Sequence, residues 1–320
     1  MVSLDYSESV IMKRKLPDSI KPLLKLVPKG AKRSVKSALS KFQLLFSDPY
    51  VDIVGMRFNF LKRATLKIRY ASARRGLSLT LNERKIRNFH NSVKGNRIWI
   101  IGNGPSLRET NLKPLKDEIT IGTNSIFLNY ENMGFEVTHY VVEDYLVAED
   151  RAEEIVNLQG STKWFGNYLK YAIPHTSNTL WSNVSVDYRT FQGWPKFGRD
   201  AGRLMFCGGT VTYLCIQLAY YLGASEVILV GVDHSYVVPD DEPLEGNTLT
   251  STRDDVNHFH SDYFGKGKRW HLPRVDRMEL SYVQAEKVFK DDGRKILNAT
   301  KGGMLEVFER ADYDSLIKDL

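Results

Sequence analysis

The sequence predicts an α/β protein: a Rossmann-like, mostly parallel sheet with helices on both faces over residues 96–320, preceded by a basic, mostly helical extension over residues 1–95. Three observations predict it. Downstream of Arg97, short β-rich runs alternate with helical segments, the pattern of a parallel sheet. Glycine and polar clusters fall at the carboxyl ends of those runs, where open α/β sheets hold their ligands. The charge divides at the same place: residues 1–100 hold 22 Lys and Arg against 6 Asp and Glu, whereas the remaining 220 hold 23 against 32.

In the extension, Ala31, Val35, Ala38, Leu39, Phe42 and Leu45 recur at helical spacing, with Lys32, Arg33, Lys36 and Lys41 largely on the other face. That is a basic amphipathic helix, suited to a membrane interface or to packing on its own domain. Pro22 and Pro28 bracket a short apolar run, Leu23–Val27. A second basic helix is expected over Arg57–Arg75. Thr80-x-x-Glu83 resembles a capping box opening a third, with Ile86, Phe89 and Val93 inward and Gly95 as its end. Aromatic residues are too sparse here, and recognition motifs too few, for nucleic acid to be the partner.

Strands are expected at Ile98–Ile101, Ile119–Gly122, Val137–Val142, Glu226–Val232 and Lys295–Asn298. Val211–Leu222 is apolar all round and reads as a buried helix with Gly223 as its C-cap. A further helix is expected over Met278–Lys290. Cys207 and Cys215 lie in apolar sequence with no CxxC pairing, which points to buried, reduced thiols. No stretch approaches the roughly 18–20 apolar residues that span a bilayer, and no signal-peptide core opens the chain. The expectation is a cytoplasmic protein, peripheral on the inner face of the cell membrane, with a homo-oligomer compatible with this reading.

The first strand runs into Gly102-Asn103-Gly104-Pro105-Ser106. Glycines let backbone approach a phosphate or ribose, and a helix capped by Ser106 would offer free N–H groups to an anion. Such a turn can also be a plain strand-to-helix connection. It is neither a Walker loop nor a GxGxxG, since Leu107 stands where the third glycine belongs. Asn124, Asp144 and Asp233 follow the second, third and fourth expected strands. Four of seven histidines (His234, His258, His260 and His271) cluster downstream of residue 230. On a strand, His258 and His260 would share a side, as a metal site requires, but no fixed-spacing ligand signature accompanies them and no metal is expected. Asp312-Tyr313-Asp314 reads as a solvated helix start rather than a metal-binding DxD.

The run Ile-Ile-Gly-Asn-Gly-Pro-Ser-Leu resembles the bacterial sialyltransferases of glycosyltransferase family 42. It also resembles the broader set carrying the domain of archaeal 6-hydroxymethylpterin pyrophosphokinase, which includes motility accessory factors implicated in flagellin glycosylation. The likeness continues through Gly208-Gly209-Thr210, Leu222–Asp233 and Ser261–Gly265, and covers about residues 97–310. It implies that Gly102, Asn103, Gly104, Pro105, Ser106, Asn124, Asp144, Gly209, Thr210 and Asp233 surround a nucleotide. It implies tyrosines that stabilise a departing phosphate, with Tyr263 matching one and Tyr236 nearest to the other. His271 is closest to the family's base, after a basic insertion at Lys266–Arg269; His258 and His260 are the alternatives. Glu143-Asp144 stands where the sialyltransferases carry asparagine, which is closer to the broader set.

The resulting expectation is a metal-independent, inverting glycosyltransferase without cofactor. It would move an acidic sugar from a CMP-activated, sialic-acid-like, nonulosonic or Kdo-like donor to a glycan or glycolipid acceptor, with the basic helices on an anionic membrane surface. A Mg-dependent pyrophosphokinase of the 6-hydroxymethylpterin type, using Asp144 and Asp233, is the alternative; a non-catalytic scaffold that keeps the fold is the third class.

Overall fold

The computed structural model describes residues 60–185, 195–238, 243–245 and 248–320. The amphipathic helix expected over Ala31–Leu45 and the run Leu23–Val27 lie outside them. Among the described residues, no helix is long and apolar enough to cross a membrane.

The basic helix α1 spans Phe60–Arg74. Helix α2, Leu81–Arg87, opens with the expected capping box: Glu83 N–H donates to Thr80 Oγ1, and Thr80 N–H donates to Glu83 Oε2. It stops well short of Gly95. The amides of Asn91, Val93 and Gly95 instead donate to the carbonyls of Tyr221, Leu222 and Gly223, each at 3.0 Å. Those carbonyls are at the end of a buried helix and lack intrahelical partners, so residues 88–95 turn to satisfy them. Asn82 likewise exchanges two hydrogen bonds with the backbone of Trp181. Residues 81–95 are thereby built into the sheet domain.

That domain is organised by eight parallel strands: β1 (Arg97–Ile101), β2 (Thr120–Thr123), β3 (His139–Val142), β4 (Thr162–Gly166), β5 (Thr179–Ser182), β8 (Glu226–Val230), β12 (Lys295–Asn298) and β13 (Glu309–Arg310). Their order is β13-β12-β8-β1-β2-β3-β4-β5. The chain builds outward from β1 to β5, then returns to add β8, β12 and β13 on the other side of β1. The β1–β8 junction is therefore the topological switch point. Two short ladders flank the sheet: β6 (Val184–Ser185) with β7 (Met205–Phe206), and β9 (Leu244–Glu245), β10 (Thr248–Thr250) and β11 (Arg269–His271). The five expected strands are all present; β4, β5, β13 and the small ladders were not anticipated.

Between strands the chain forms α3 (Tyr130–Met133), α4 (Tyr145–Asp150), α5 (Ala152–Asn157), α6 (Val211–Leu222), α7 (Val275–Asp291) and α8 (Tyr313–Leu316). Helix α6 packs across β1, β2 and β3, and α7 packs on α6 and β12. All of Thr212–Leu222 is buried, as its uniform apolarity predicts. Its one amide side chain, Gln217, is fully hydrogen-bonded to Gly198, Phe206 and Tyr213. Gly223 takes the left-handed C-cap, φ +97°. Cys207 and Cys215 are buried free thiols. Asp312 caps α8 through the Ser315 amide, so the Asp-Tyr-Asp triplet is the helix start expected.

Candidate active site

At the switch point the chain closes on itself. Gly102 N–H donates to Val230 O and Gly104 N–H to Gly231 O, both at 2.8 Å. The helix expected from Ser106 is a 3-10 turn, Pro105–Glu109, with Gly104 at its N-cap. Ser106 does not cap it: its N–H and Oγ both donate to the Asp233 carboxylate, at 3.1 and 2.7 Å. A Cβ on Gly104 would lie 1.7 Å from Asp233 Oδ2. Here glycine makes room for the protein's own carboxylate. Burial raises the Asp233 pKa, against the Ser106 hydrogen bonds and the nearby His258, which lower it.

Next to this closed crevice, Asn103 ties β1 to β2, its amide donating to Thr123 O and Oγ1 at 3.0 and 2.6 Å. Its carbonyl accepts the Phe259 amide at 3.0 Å. Asn124 ends β2 with φ +46°, in the left-handed region that a non-glycine residue adopts at a cost. The Tyr140 hydroxyl holds its carbonyl there. Asn103 Oδ1 and Ser125 Oγ are buried without a hydrogen-bond partner in the chain, and the buried Asn124 side chain meets the Tyr263 hydroxyl. Orphan acceptors of this kind are uncommon and point to a ligand or ordered water.

Over these strand ends lies the segment 251–271. Tyr263 is buried with its hydroxyl against Asn124 and Ser125, and burial pushes that hydroxyl far above its ordinary pKa. Its ring stacks on His258 at 3.9 Å and 4°. His258 Nδ1 faces Asp255 Oδ2 at 2.7 Å. Against burial, the bonds from His258, Asn257 and Phe264 hold the Asp255 carboxyl below its usual range. His258-Phe259-His260 is not a strand, so the two imidazoles diverge: His260 Nδ1 accepts the Asp262 amide at 3.1 Å. Tyr236 is 37% exposed along its side chain, but its hydroxyl is turned inward, where burial and then the nearby Tyr282 and Asp233 push its pKa above the ordinary value; the next residue, Val237, exchanges hydrogen bonds with the Asn257 side chain.

After β3, Asp144 does two things. Its Oδ1 caps α4 through the Leu146 amide at 2.8 Å, and its Oδ2 faces His271 Nδ1 at 3.0 Å. The other nitrogen of His271 faces the Tyr145 hydroxyl at 3.3 Å. Burial alone would lower the His271 pKa; the charge and hydrogen bond of Asp144, with Glu143 behind, outweigh burial and Arg269 and raise it. The basic run before His271 is accounted for as well. Arg269 pairs with Glu149 and Asp150 of α4 at 3.0 and 2.6 Å, and Lys268 with Asp262 at 2.7 Å. Arg151 donates to the carbonyl and carboxylate of Asp262, and Arg108 to the carbonyls of His258 and Phe259.

Thus Asp144 meets His271, Ser106 meets Asp233, and Tyr263 meets Asn124 and His258. Gly209, φ +83°, and Thr210, whose Oγ1 caps α6 through the Thr212 amide, form the buried helix's N-terminus. Sequence reasoning missed Tyr145, Arg108 and Arg151. Each adjoins a strand-end motif, but its partner lies more than 100 residues away.

The structure of MAf glycosyltransferase from Magnetospirillum magneticum AMB-1 is 14% identical with a TM-score of 0.43, over 75% of this chain and 40% of that one. This chain therefore spans about two fifths of its length. A mammalian sialyltransferase in complex with Gal-beta-1-3GalNAc-ortho-nitrophenol is 12% identical with a TM-score of 0.33, over 75% of this chain and 86% of that one. No curated protein matches the sequence. The family model described as 6-hydroxymethylpterin diphosphokinase MptE-like matches residues 77–238, from the turn before α2 to the loop beyond β8. With just over half of its length in that match, the chain belongs to the 6-hydroxymethylpterin diphosphokinase MptE-like family.

Proposed function

We propose that the chain is a glycosyltransferase, metal-independent and inverting, that moves an acidic sugar from a CMP-activated donor to a glycan or glycolipid acceptor. The observation that carries this reading is the Asp144–His271 pair. A carboxylate on Nδ1 fixes the tautomer whose Nε2 takes a proton, the arrangement of a general base near neutral pH; in this structure Nε2 faces the Tyr145 hydroxyl at 3.3 Å, the place an acceptor hydroxyl would take. In the reaction, the acceptor hydroxyl gives its proton to His271 Nε2 while its oxygen bonds to the anomeric carbon. The bond from that carbon to the donor phosphate breaks on the opposite face, and CMP leaves with the electron pair.

The other residues fit supporting roles. The unpartnered oxygens of Asn103 and Ser125 suit the amino and hydroxyl groups of a nucleoside. The raised pKa of Tyr263 keeps it a hydrogen-bond donor at any physiological pH, as a leaving phosphate requires. The Gly209–Thr210 helix start suits the phosphate, and Tyr236, at the rim, suits a second donor. His258 carries the same kind of pair with Asp255, but its side chain is 14% exposed against 32% for His271 and its ring is stacked on Tyr263, which favours His271 as the base. The basic N-terminal segment suits an anionic membrane surface on the cytoplasmic side, where lipid-linked acceptors are met.

The family description favours a second reading, a Mg-dependent nucleotide pyrophosphokinase using Asp144 and Asp233. The two carboxylates are engaged separately, Asp233 by the Ser106 amide and hydroxyl and Asp144 by the Leu146 amide and His271, and among the described residues no group of three His, Cys, Asp or Glu side chains is gathered for a metal ion. A thermal-shift panel of nucleotides separates the two, because a ligand of the native state raises Tm. The expected result is a shift with CMP or CDP that ignores Mg²⁺; a shift only with ATP or GTP plus Mg²⁺ would replace the transferase by the kinase.

A further inference from the structure

A groove of about 400 Å³ runs between the 3-10 turn after β1 and helix α3 after β2, with Phe259 and His260 along its rim. We propose that it is a saccharide subsite taking neutral, hydroxyl-rich sugar residues; that these belong to the acceptor rests on the glycosyltransferase reading.

The size is within the roughly 300–1,000 Å³ typical of small-molecule sites, and the chemistry of the wall selects the ligand class. Its polar groups are Thr110, Asn111, Asn129, Asn132 and His260. No carboxylate lines it, and its one cation, Arg108, is directed at the carbonyls of His258 and Phe259. A phosphate or carboxylate ligand would find a single cation there, one already donating to two carbonyls, and no second to clamp it. The three amides do have open valences. Asn132 Nδ2 donates to Asn129 Oδ1 at 3.2 Å, which leaves Asn129 Nδ2 as donor and Asn132 Oδ1 as acceptor. Asn111 Oδ1 accepts the Lys113 amide, which leaves its Nδ2. Mixed amide donors and acceptors match a sugar hydroxyl, which both gives and takes a hydrogen bond. Phe259 adds an apolar surface for the carbon face of the ring.

The groove is also connected to the site. The Phe259 amide bonds to the Asn103 carbonyl, so the rim is fastened to the β1 turn. A sugar held here lies on the α3 side of that turn, beside the strand ends rather than in the β1–β8 crevice.

The test is saturation-transfer NMR on the full chain with three neutral probes: methyl β-galactoside, methyl β-glucoside and lactose. At least one should bind in the millimolar range, and Asn132→Trp, at an exposed position, should weaken it at least tenfold. The same variant should keep its circular dichroism and its nucleotide-induced thermal shift. Binding that persists in Asn132→Trp, displacement of the probe by CMP, or silence from all three probes would each overturn the proposal. Groove-dependent probe binding without any CMP shift would sink the CMP-donor reading and leave the subsite standing.

Discussion

Replacing Asp144 by Asn isolates the charge on His271. Asparagine caps helices about as well as aspartate, so the Leu146 amide keeps an acceptor and α4 its start. What is lost is a charge-assisted bond of 3.0 Å between side chains that are 18% and 32% exposed. Bonds to charged groups contribute about 1.5–3 kcal/mol. The bond favours only the charged imidazole, so the His271 pKa should fall when it is lost. Burial, which pulls the same way, is then no longer opposed by Asp144. The acid limb of the pH–kcat/KM profile should move to lower pH. An asparagine amide can also turn its N–H₂ toward Nδ1 and put the proton on Nε2, so kcat should fall on the order of 10²-fold or more. The stability signature has a definite sign. His271 is raised in the fold, so the pair's contribution is full below the ordinary histidine value of 6.5 and is lost as pH rises through the raised value. Asp144→Asn should therefore lower Tm more at pH 5.5 than at pH 8.5, and Asp144→Ala should add about 1 kcal/mol from the lost cap at either pH. An unmoved acid limb with kcat within threefold of wild type would refute the assignment of His271 as the base and Asp144 as its positioning residue.

Three other outcomes are expected. His139 is buried on β3, where burial lowers its pKa from 6.5 to about 4; the unfolded chain binds the proton first as pH falls. Stability should therefore drop by roughly 2–3 kcal/mol between pH 7 and pH 4.5 on this account, and urea titrations of His139→Gln should lose that part of the slope. Gly104→Ala must displace the Asp233 carboxylate and should destabilise by about 1–3 kcal/mol, with Gly104→Ala/Asp233→Ala less than additive in denaturant melts; additivity would mean that the two do not share the space. Neutralising Lys32, Lys36 and Lys41 should weaken sedimentation with anionic liposomes, by about tenfold if each lysine contributes part of the ~1 kcal/mol typical near a charged surface; unchanged binding would remove the membrane role from this segment.

The strands legible in the sequence are those whose environment is uniform. β1 and β8 are buried at nearly every position and read as unbroken apolar runs. β4 escaped because Lys163 interrupts it. That lysine is buried, with Nζ donating to the carbonyls of Ile155, Val156 and Leu158 at the end of α5. Only tertiary structure supplies those acceptors, and no local pattern announces them. The same limit applies to Lys266–Arg269, a basic insertion in sequence and a set of ties in space, since Glu149 and Asp150 lie about 120 residues away. Thr80-x-x-Glu83 was legible as a cap, whereas the bonds of Glu83 to Arg69 and Asn183 were not.

The motif that best announced a ligand site is the one most occupied by the protein itself. Open α/β sheets hold their ligands in the crevice at the switch point, and the Gly102–Ser106 turn lies there. Yet Gly104 and Ser106 spend their backbone and hydroxyl donors on Gly231 and Asp233. Asp233 neutralises the anion-binding capacity of that turn, since a second negative charge beside a carboxylate is repelled. The partnerless oxygens lie on the β2 side of that turn, at Asn103 within it and Ser125 after β2, and the histidine–carboxylate pair lies one strand beyond, after β3. The turn's role is then to fix the Asn103 side chain between β1 and β2 and, through the Asn103 backbone carbonyl, the Phe259 rim above. Removing one charge tests this division of labour. Asp233→Asn keeps an acceptor for Ser106 and removes the repulsion, so binding of inorganic phosphate or CMP at the turn should become stronger, not weaker. Weaker nucleotide binding in a folded Asp233→Asn variant would return the ligand to the switch-point crevice.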